Sequence, residues 1–276
     1  MQRGRTAMPT TRSSDDVEIS YEVVGDGPTD VVFLHGWAGS GRYFDSAVGY
    51  LDPSRIRAIT FDLRGHGDSG RTDHGYSLEQ IAADTIAVAD AAGSARFVTV
   101  GFSMTAKFVQ YVACTRPDRV TGQVLVAGCP ASTLPLPPEL LDDWYGRAGD
   151  AVRMAEIPRM YASRPVPDDV LDRCGVDAAR VPLVALRGTI ELVTTESFVD
   201  RLGVLDVPTL VIGGRDDAIF SPEALAAGVV APVRGARLEL VDCGHEIPIE
   251  QPQQLAGLIA GFVADVAEPS TLQPSG

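Results

Sequence analysis

Three residue types that together can pass a proton in line, a serine, a histidine and an aspartate, each follow a separate apolar run in this chain. Val98-Thr99-Val100 breaks at Gly101, presents Ser103, and continues through Met104-Thr105-Ala106-Lys107-Phe108 with helical character. A serine on the sharp turn between a buried strand and a helix has its hydroxyl lifted clear of the backbone. The helix start behind it offers unpaired N–H groups and a positive dipole end to a developing anion. A serine hydroxyl is a weak nucleophile and needs a base. Of the four histidines, His35 and His66 lie in glycine-rich loops and His74 in a polar stretch. His245, in Asp242-Cys243-Gly244-His245-Glu246, follows the last apolar run, where a loop can carry its imidazole over the serine. A histidine base needs a carboxylate to hold its tautomer and stabilise the imidazolium. Gly213-Gly214-Arg215-Asp216-Asp217 follows the preceding run, and the other candidate position, after Gly128, has no carboxylate before Glu139. Either Asp216 or Asp217 therefore serves, one facing His245 and the other solvent. The oxyanion formed by attack on a carbonyl requires backbone donors. The N–H of Met104 and that of Trp37, in His35-Gly36-Trp37, are the candidates.

The elements that must position these groups read as alternating strands and helices. Strands are expected over 17–24, 31–34, 56–61, 97–100, 124–128, 209–213 and 238–241. Ser77 with Gln80 forms a capping box that opens a helix whose buried stripe is Ile81, Thr85, Val88 and Ala92, with Gly93 ending it. Helices are also expected after Ser103 and over 224–229 and 252–266. Such alternation makes an α/β fold: a mostly parallel sheet with helices on both faces, whose ligands gather at the carboxyl ends of the strands. His35, Asp62, Ser103, Asp217 and His245 all fall on that edge. Between residues 132 and 201 the rhythm changes to proline clusters and short helical patterns over 140–148, 152–161 and 170–176. The expected organisation is a core of 17–131 and 202–267, a helical lid inserted over 132–201, and loose tails over 1–16 and 268–276.

The chain has 276 residues, 45% of them apolar, enough for one sizeable core. Its net charge of −14, without a long basic run, argues against nucleic acid and anionic membranes as partners. No segment approaches the ~18 apolar residues of a membrane helix. Cys114, Cys129, Cys174 and Cys243 are widely spaced and form no CxxC pair, so buried free thiols in a reducing cytoplasm are expected, with no metal site. A small molecule acting on a monomer or homodimer is the expected partner. Arg64 with Asp68 is expected to tie down the glycine-rich loop around His66, and Lys107 to be a solvated helix residue.

These motifs together resemble the α/β-hydrolase fold superfamily over about 17–266. They are His35-Gly36, Asp62-Leu63-Arg64-Gly65-His66-Gly67-Asp68-Ser69, Gly101-Phe102-Ser103-Met104, Gly214-Arg215-Asp216-Asp217 and Gly244-His245. The resemblance implies the order serine, acid, histidine, and its glycine-x-x-aspartate spacing selects Asp217. It implies an esterase or lactonase that needs no cofactor. A serine at the turn argues against haloalkane dehalogenases and epoxide hydrolases of this fold, which use aspartate there. One departure stands out: the usual GxSxG ends here in Thr105, a bulkier residue at a position of close helix–strand packing. Phe102, Trp144 and Phe220 are candidate substrate contacts, with Met104, Trp37, Leu140, Met154 and Met160 as further wall residues. An apolar pocket favours a neutral ester or lactone of small to medium size. Two other readings stay open. Perhydrolases, also called non-haem haloperoxidases, have similar turns beginning Gly-Phe-Ser-Met, and some members of the fold bind ligands without hydrolysing them.

Overall fold

The computed structural model describes residues 8–203 and 205–267. The tail expected over 268–276 lies outside the described residues, as do residues 1–7.

The chain begins with β1 (Thr10–Arg12), β2 (Glu18–Val24) and β3 (Thr29–Leu34), then a 3₁₀ turn (Gly41–Phe44) leading into α1 (Asp45–Val48). β4 (Ile56–Phe61), α2 (Leu78–Ala91), β5 (Phe97–Phe102), α3 (Met104–Thr115) and β6 (Val120–Val126) follow. Then come five consecutive helices, α4 (Pro138–Gly146), α5 (Ala151–Tyr161), α6 (Asp168–Ala179), α7 (Leu183–Thr195) and α8 (Val199–Leu202). The chain returns through β7 (Thr209–Gly214), α9 (Pro222–Leu225) with a π turn (Ala226–Val230), β8 (Arg237–Val241), α10 (Ile247–Glu250) and α11 (Pro252–Ala267). The eight strands form one sheet in the order β1-β2-β4-β3-β5-β6-β7-β8. β1 and β2 pair antiparallel, and every pairing from β4 to β8 is parallel.

The continuous apolar runs are strands buried on both faces, and side-chain alternation sends successive residues to opposite cores. In β3, Val32 and Leu34 join the core beneath α2 and α3, with Ile81, Val88, Phe108 and Val112. Val31 and Phe33 point the other way, against Ala47 and Val48 of α1 and Leu255, Ile259 and Phe262 of α11. Full burial of such a side chain contributes ~1.5–3 kcal/mol. The helices between β6 and β7 build a smaller third cluster from Met154, Ala178, Val181, Ala185 and Leu186, packed on Trp37 and Ala38. Among the described residues no helix is long and apolar enough to cross a membrane.

Four expectations are corrected here. Residues 10–16 are not loose. β1 adds an edge strand to β2, buried Ser13 donates to Asp84, and Asp15 accepts from Arg64. This polar segment gave no hydrophobic period because its anchors are hydrogen bonds. Arg64 does not hold Asp68. Its buried guanidinium forks onto Asp84 and Asp15, at 2.7 Å each, while Asp68 pairs with Arg180 across to the helical insertion. Lys107 is fully buried, and its ammonium donates to the carbonyls of Ser132 (3.0 Å), Val193 (3.2 Å) and Glu196 (2.6 Å). Of the capping box, only the Ser77 half forms, from the Gln80 N–H at 3.1 Å. The Gln80 amide instead reaches Ser13 at 2.9 Å.

The sequence patterns under-read the insertion. α7 is as long as the core helices, yet its apolar residues mix with Arg187, Gly188 and Glu191 and gave no clear stripe. The expected helix over 224–229 is the short α9 followed by the π turn.

Candidate active site

Ser103 sits between β5 and α3 with φ of 54° and ψ of −115°, a region an L-residue enters only under constraint. The constraint is visible. The Ser103 N–H donates to the Val126 carbonyl at 2.8 Å, and its own carbonyl accepts from Cys129 at 3.0 Å and Ala106 at 3.1 Å. Gly101 is required beneath it, because a Cβ there would lie 2.5 Å from the Thr105 carbonyl oxygen. Thr105 is accommodated by hydrogen bonding. Its fully buried hydroxyl accepts from the Phe102 N–H at 2.9 Å and donates to the Leu34 carbonyl at 2.7 Å. It thus ties the end of β3 to the serine turn.

His245 is carried by the loop after β8. Its N–H donates to the Tyr161 carbonyl at the end of α5, at 3.0 Å. The Ser103 Oγ lies 2.9 Å from Nε2, and Asp217 Oδ2 lies 2.9 Å from Nδ1. A carboxylate can only accept, so Nδ1 carries the proton and Nε2 is left to accept from Ser103. Asp217, on the turn after β7, is buried, and its other oxygen accepts from the Ile219 and Phe220 N–H groups at 2.7 and 2.9 Å. Asp216 is exposed, and it is Asp217, the aspartate that the resemblance selects, that faces His245. Burial alone would depress the imidazole pKa of His245. The Asp217 hydrogen bond and charge, with Glu246 and Glu250 nearby, outweigh it and hold the pKa above 6.5.

The N–H groups of Trp37 and Met104 have no hydrogen-bond partner among the described residues. The Trp37 ring stacks on Trp144 at 5.0 Å, and its indole N–H donates to the Leu186 carbonyl at 3.0 Å. Beside Ser103 and His245 opens a cavity of about 80 Å³. Trp37, Phe102, Trp144, Met154, Ile157 and Ile219 give it a largely apolar wall. Phe102 and Trp144 are where a substrate contact was expected. Phe220 is not: it packs 5.8 Å from the His245 ring, and its neighbour Ile219 faces the cavity. Met104, Leu140 and Met160 are also off the wall, Met160 being 55% exposed.

His35 and His66 are buried within the core loops, and His74 is exposed on the surface. His35 Nδ1–H donates to the Gly36 carbonyl at 2.8 Å, and Nε2 accepts from the Leu63 N–H at 3.0 Å. Burial pushes the pKa of His35 down to about 4 and, with the neighbouring His35, that of His66 to about 3. Asp62 accepts from the Gly41 and Asp68 N–H groups at 2.7 Å each, a loop anchor. The cysteines are all unpaired, and burial raises the pKa of the Cys129 and Cys243 thiols to about 12.

Two site residues escaped the sequence reading. Glu250 grips four N–H groups: those of Gly244, Ser163 and Arg164 with one oxygen, and that of Glu246 with the other. It locks the histidine loop to the end of α5. Glu246 itself lines the cavity and accepts from the Tyr43 hydroxyl. An acidic pair at i and i+4 on a short surface-like helix gave no signal, since its partners are distant in sequence.

A mostly parallel eight-stranded sheet, with a serine at a strained strand-to-helix turn and an aspartate–histidine pair brought in by later loops, defines an α/β-hydrolase fold. The chain belongs to the alpha/beta hydrolase family, whose model matches residues 31–258. It is similar to a non-heme haloperoxidase of Rhodococcus erythropolis, 30% identical over 249 residues that make up 84% of this chain and 90% of that protein. Among solved structures it is similar to Est816, described as an N-acyl homoserine lactone degrading enzyme, at 26% identity and a TM-score of 0.75. That match covers 92% of this chain and 100% of the other. An esterase from Exiguobacterium antarcticum superposes with a TM-score of 0.82 at 20% identity, over 92% of this chain and 98% of that one.

Proposed function

We propose that this protein is a serine hydrolase that cleaves a carboxylic ester or lactone through an acyl-enzyme, with no cofactor required. The observation that carries this reading is the unbroken line of contacts from Ser103 Oγ to His245 Nε2 and from Nδ1 to Asp217, each 2.9 Å, at the wall of an apolar cavity. His245 takes the Ser103 proton as Oγ attacks the carbonyl carbon. The N–H groups of Met104 and Trp37 hold the resulting oxyanion, and losing one such donor costs ~3 kcal/mol in the barrier. The tetrahedral species collapses, and His245 returns the proton to the leaving alcohol. Water, deprotonated by His245, then attacks the acyl-enzyme and releases the acid. The helices between β6 and β7 act as the lid that shapes the cavity for a small to medium, largely apolar substrate.

A second reading is supported by the similarity to the haloperoxidase. In a perhydrolase, hydrogen peroxide replaces water at the acyl-enzyme, and the product is a peracid.

A fluorophosphonate probe is expected to label the native protein and not Ser103→Ala. Native protein that turns over p-nitrophenyl esters or lactones supports the hydrolase. Halide oxidation with acetate and peroxide, without ester turnover, supports the perhydrolase. Absence of both labelling and turnover overturns both.

A further inference from the structure

Glu246 is the only carboxyl side chain on the cavity wall among the described residues, and it is 5% exposed. The same wall includes Met154, Ile157, Ala178 and Cys174, with Tyr43, Tyr161, Ser103 and His245. No arginine, lysine or histidine forms an ion pair with it among the described residues, and its one side-chain hydrogen bond comes to Oε2 from the Tyr43 hydroxyl. Its Oε1 makes no hydrogen bond with the described residues and is not itself fully buried, so it opens onto the cavity. Its backbone N–H is held by Glu250 at 3.0 Å, and the Tyr43 ring that bonds its Oε2 is stacked on Phe102 at 5.4 Å. Burial, with the charges of Glu250 and Asp217, raises its pKa to about 7 against the opposing effect of His245 and the Tyr43 bond.

A carboxyl oxygen that opens onto a largely apolar cavity is served by water in the free protein, and when a substrate displaces that water the oxygen is left unpaired at a cost unless the substrate donates to it. A substrate that fills the cavity with hydrocarbon leaves that oxygen unpaired. A substrate that brings an N–H or O–H satisfies it. Sites built this way discriminate against analogues that lack the donor more sharply than apolar pockets discriminate by size.

We propose that Glu246, oriented by Tyr43, is a specificity residue that binds a hydroxyl or amino hydrogen-bond donor of the substrate while Ser103 attacks its carbonyl. This rests on the hydrolase reading and narrows it: the preferred substrates are esters or lactones that are apolar apart from one such donor. The sequence alone favoured a neutral, largely apolar substrate, and the donor is the refinement.

The test uses the full-length protein and matched esters that carry a methyl, a hydroxyl or an amino group at the same chain position, on the acyl or the alcohol side. Acid release is followed at pH 8. Each kcat/KM is compared between native protein, Glu246→Gln, Glu246→Met and Tyr43→Phe, so that the intrinsic reactivity of the esters cancels. The native preference for a donor-bearing ester over its methyl partner is expected to fall roughly tenfold in Glu246→Met. Glu246→Gln keeps an acceptor, so it is expected to lose the amino preference and retain most of the hydroxyl preference. Fluorophosphonate labelling of each variant reports that Ser103 is still active. If Glu246→Met does not label, Glu246→Gln decides alone through the amino esters. Native protein that handles all partners equally overturns the proposal, as does a uniform fall in every rate with the ratios unchanged, which would mean Glu246 only braces the loop. Failure of native protein to label or to turn over any ester counts against the hydrolase reading itself and is distinct from both.

Discussion

Asp216 and Asp217 are neighbours with identical side chains, and only the turn after β7 distinguishes them. Asp217 is swung inward by two backbone N–H groups onto His245 and loses its water. On the proposed reading the reactive form of His245 is neutral, so kcat/KM falls as pH falls through its pKa. That pKa is raised, and the acid limb is therefore expected to lie above 6.5. Asp217→Asn removes the hydrogen-bonded charge and leaves burial, which lowers the pKa. The limb should move to lower pH while the plateau drops by on the order of 10³–10⁴. A pH–rate profile of the two proteins checks this, and an acid limb that stays in place would count against the pairing. Thr105 gives a second residue-scale expectation. Thr105→Val keeps the shape but leaves the Phe102 N–H and Leu34 carbonyl unpaired. Urea unfolding should show a loss of roughly 1–3 kcal/mol, with kcat reduced because the turn carrying Met104 loosens.

At the scale of elements, one buried side chain ties the two ends of the helical insertion to α3. Lys107 lies one turn beyond Ser103 on α3 and donates its three N–H bonds to carbonyls at both ends of the insertion, Ser132 before α4 and Val193 and Glu196 at the end of α7. Charge-assisted bonds of this kind are stronger than neutral ones. Lys107→Met fills the space and removes the donors, so it is expected to destabilise the protein by about 3 kcal/mol. Amide exchange should accelerate first in α7 and the segment before α4, with β5 and β6 still protected. Uniform acceleration across the sheet would mean that the contact supports the whole fold and not the insertion. The sequence read this lysine as solvated because helical spacing places it on α3 but does not reveal that the insertion folds back over that face.

At the scale of the whole molecule, buried ionisable groups set opposite trends with pH. His35 and His66 are held neutral, with pKa values pushed down to about 4 and about 3. The stability they contribute is present above pH 6.5 and is lost as pH falls. Glu246 is shifted the other way, from 4.5 to about 7, so its contribution is complete below pH 4.5 and is lost as pH rises through about 7. His245, with its raised pKa, adds to that alkaline loss. The net charge of −14 adds self-repulsion on the same side. Thermal stability is expected to peak at about pH 6. Glu246→Gln should flatten the alkaline side and leave the acid side unchanged, as scanning calorimetry across pH would show. An unchanged alkaline slope would mean that Glu246 titrates as an ordinary surface carboxyl.

The order of strands and helices, the serine turn and the loops bearing His245 and the aspartates were legible in the sequence. Each is a local pattern: an apolar run, a glycine where the backbone must approach closely, a polar residue where a strand ends. Contacts between distant segments were not legible. The hydrogen-bonded seat of Thr105, the clamp at Lys107, the anchoring of residues 10–16 and the Glu246–Tyr43 pair all join positions far apart in the chain. Burial and partner identity there follow from how the elements pack, and hydrophobic periodicity carries no record of which buried polar group will meet which.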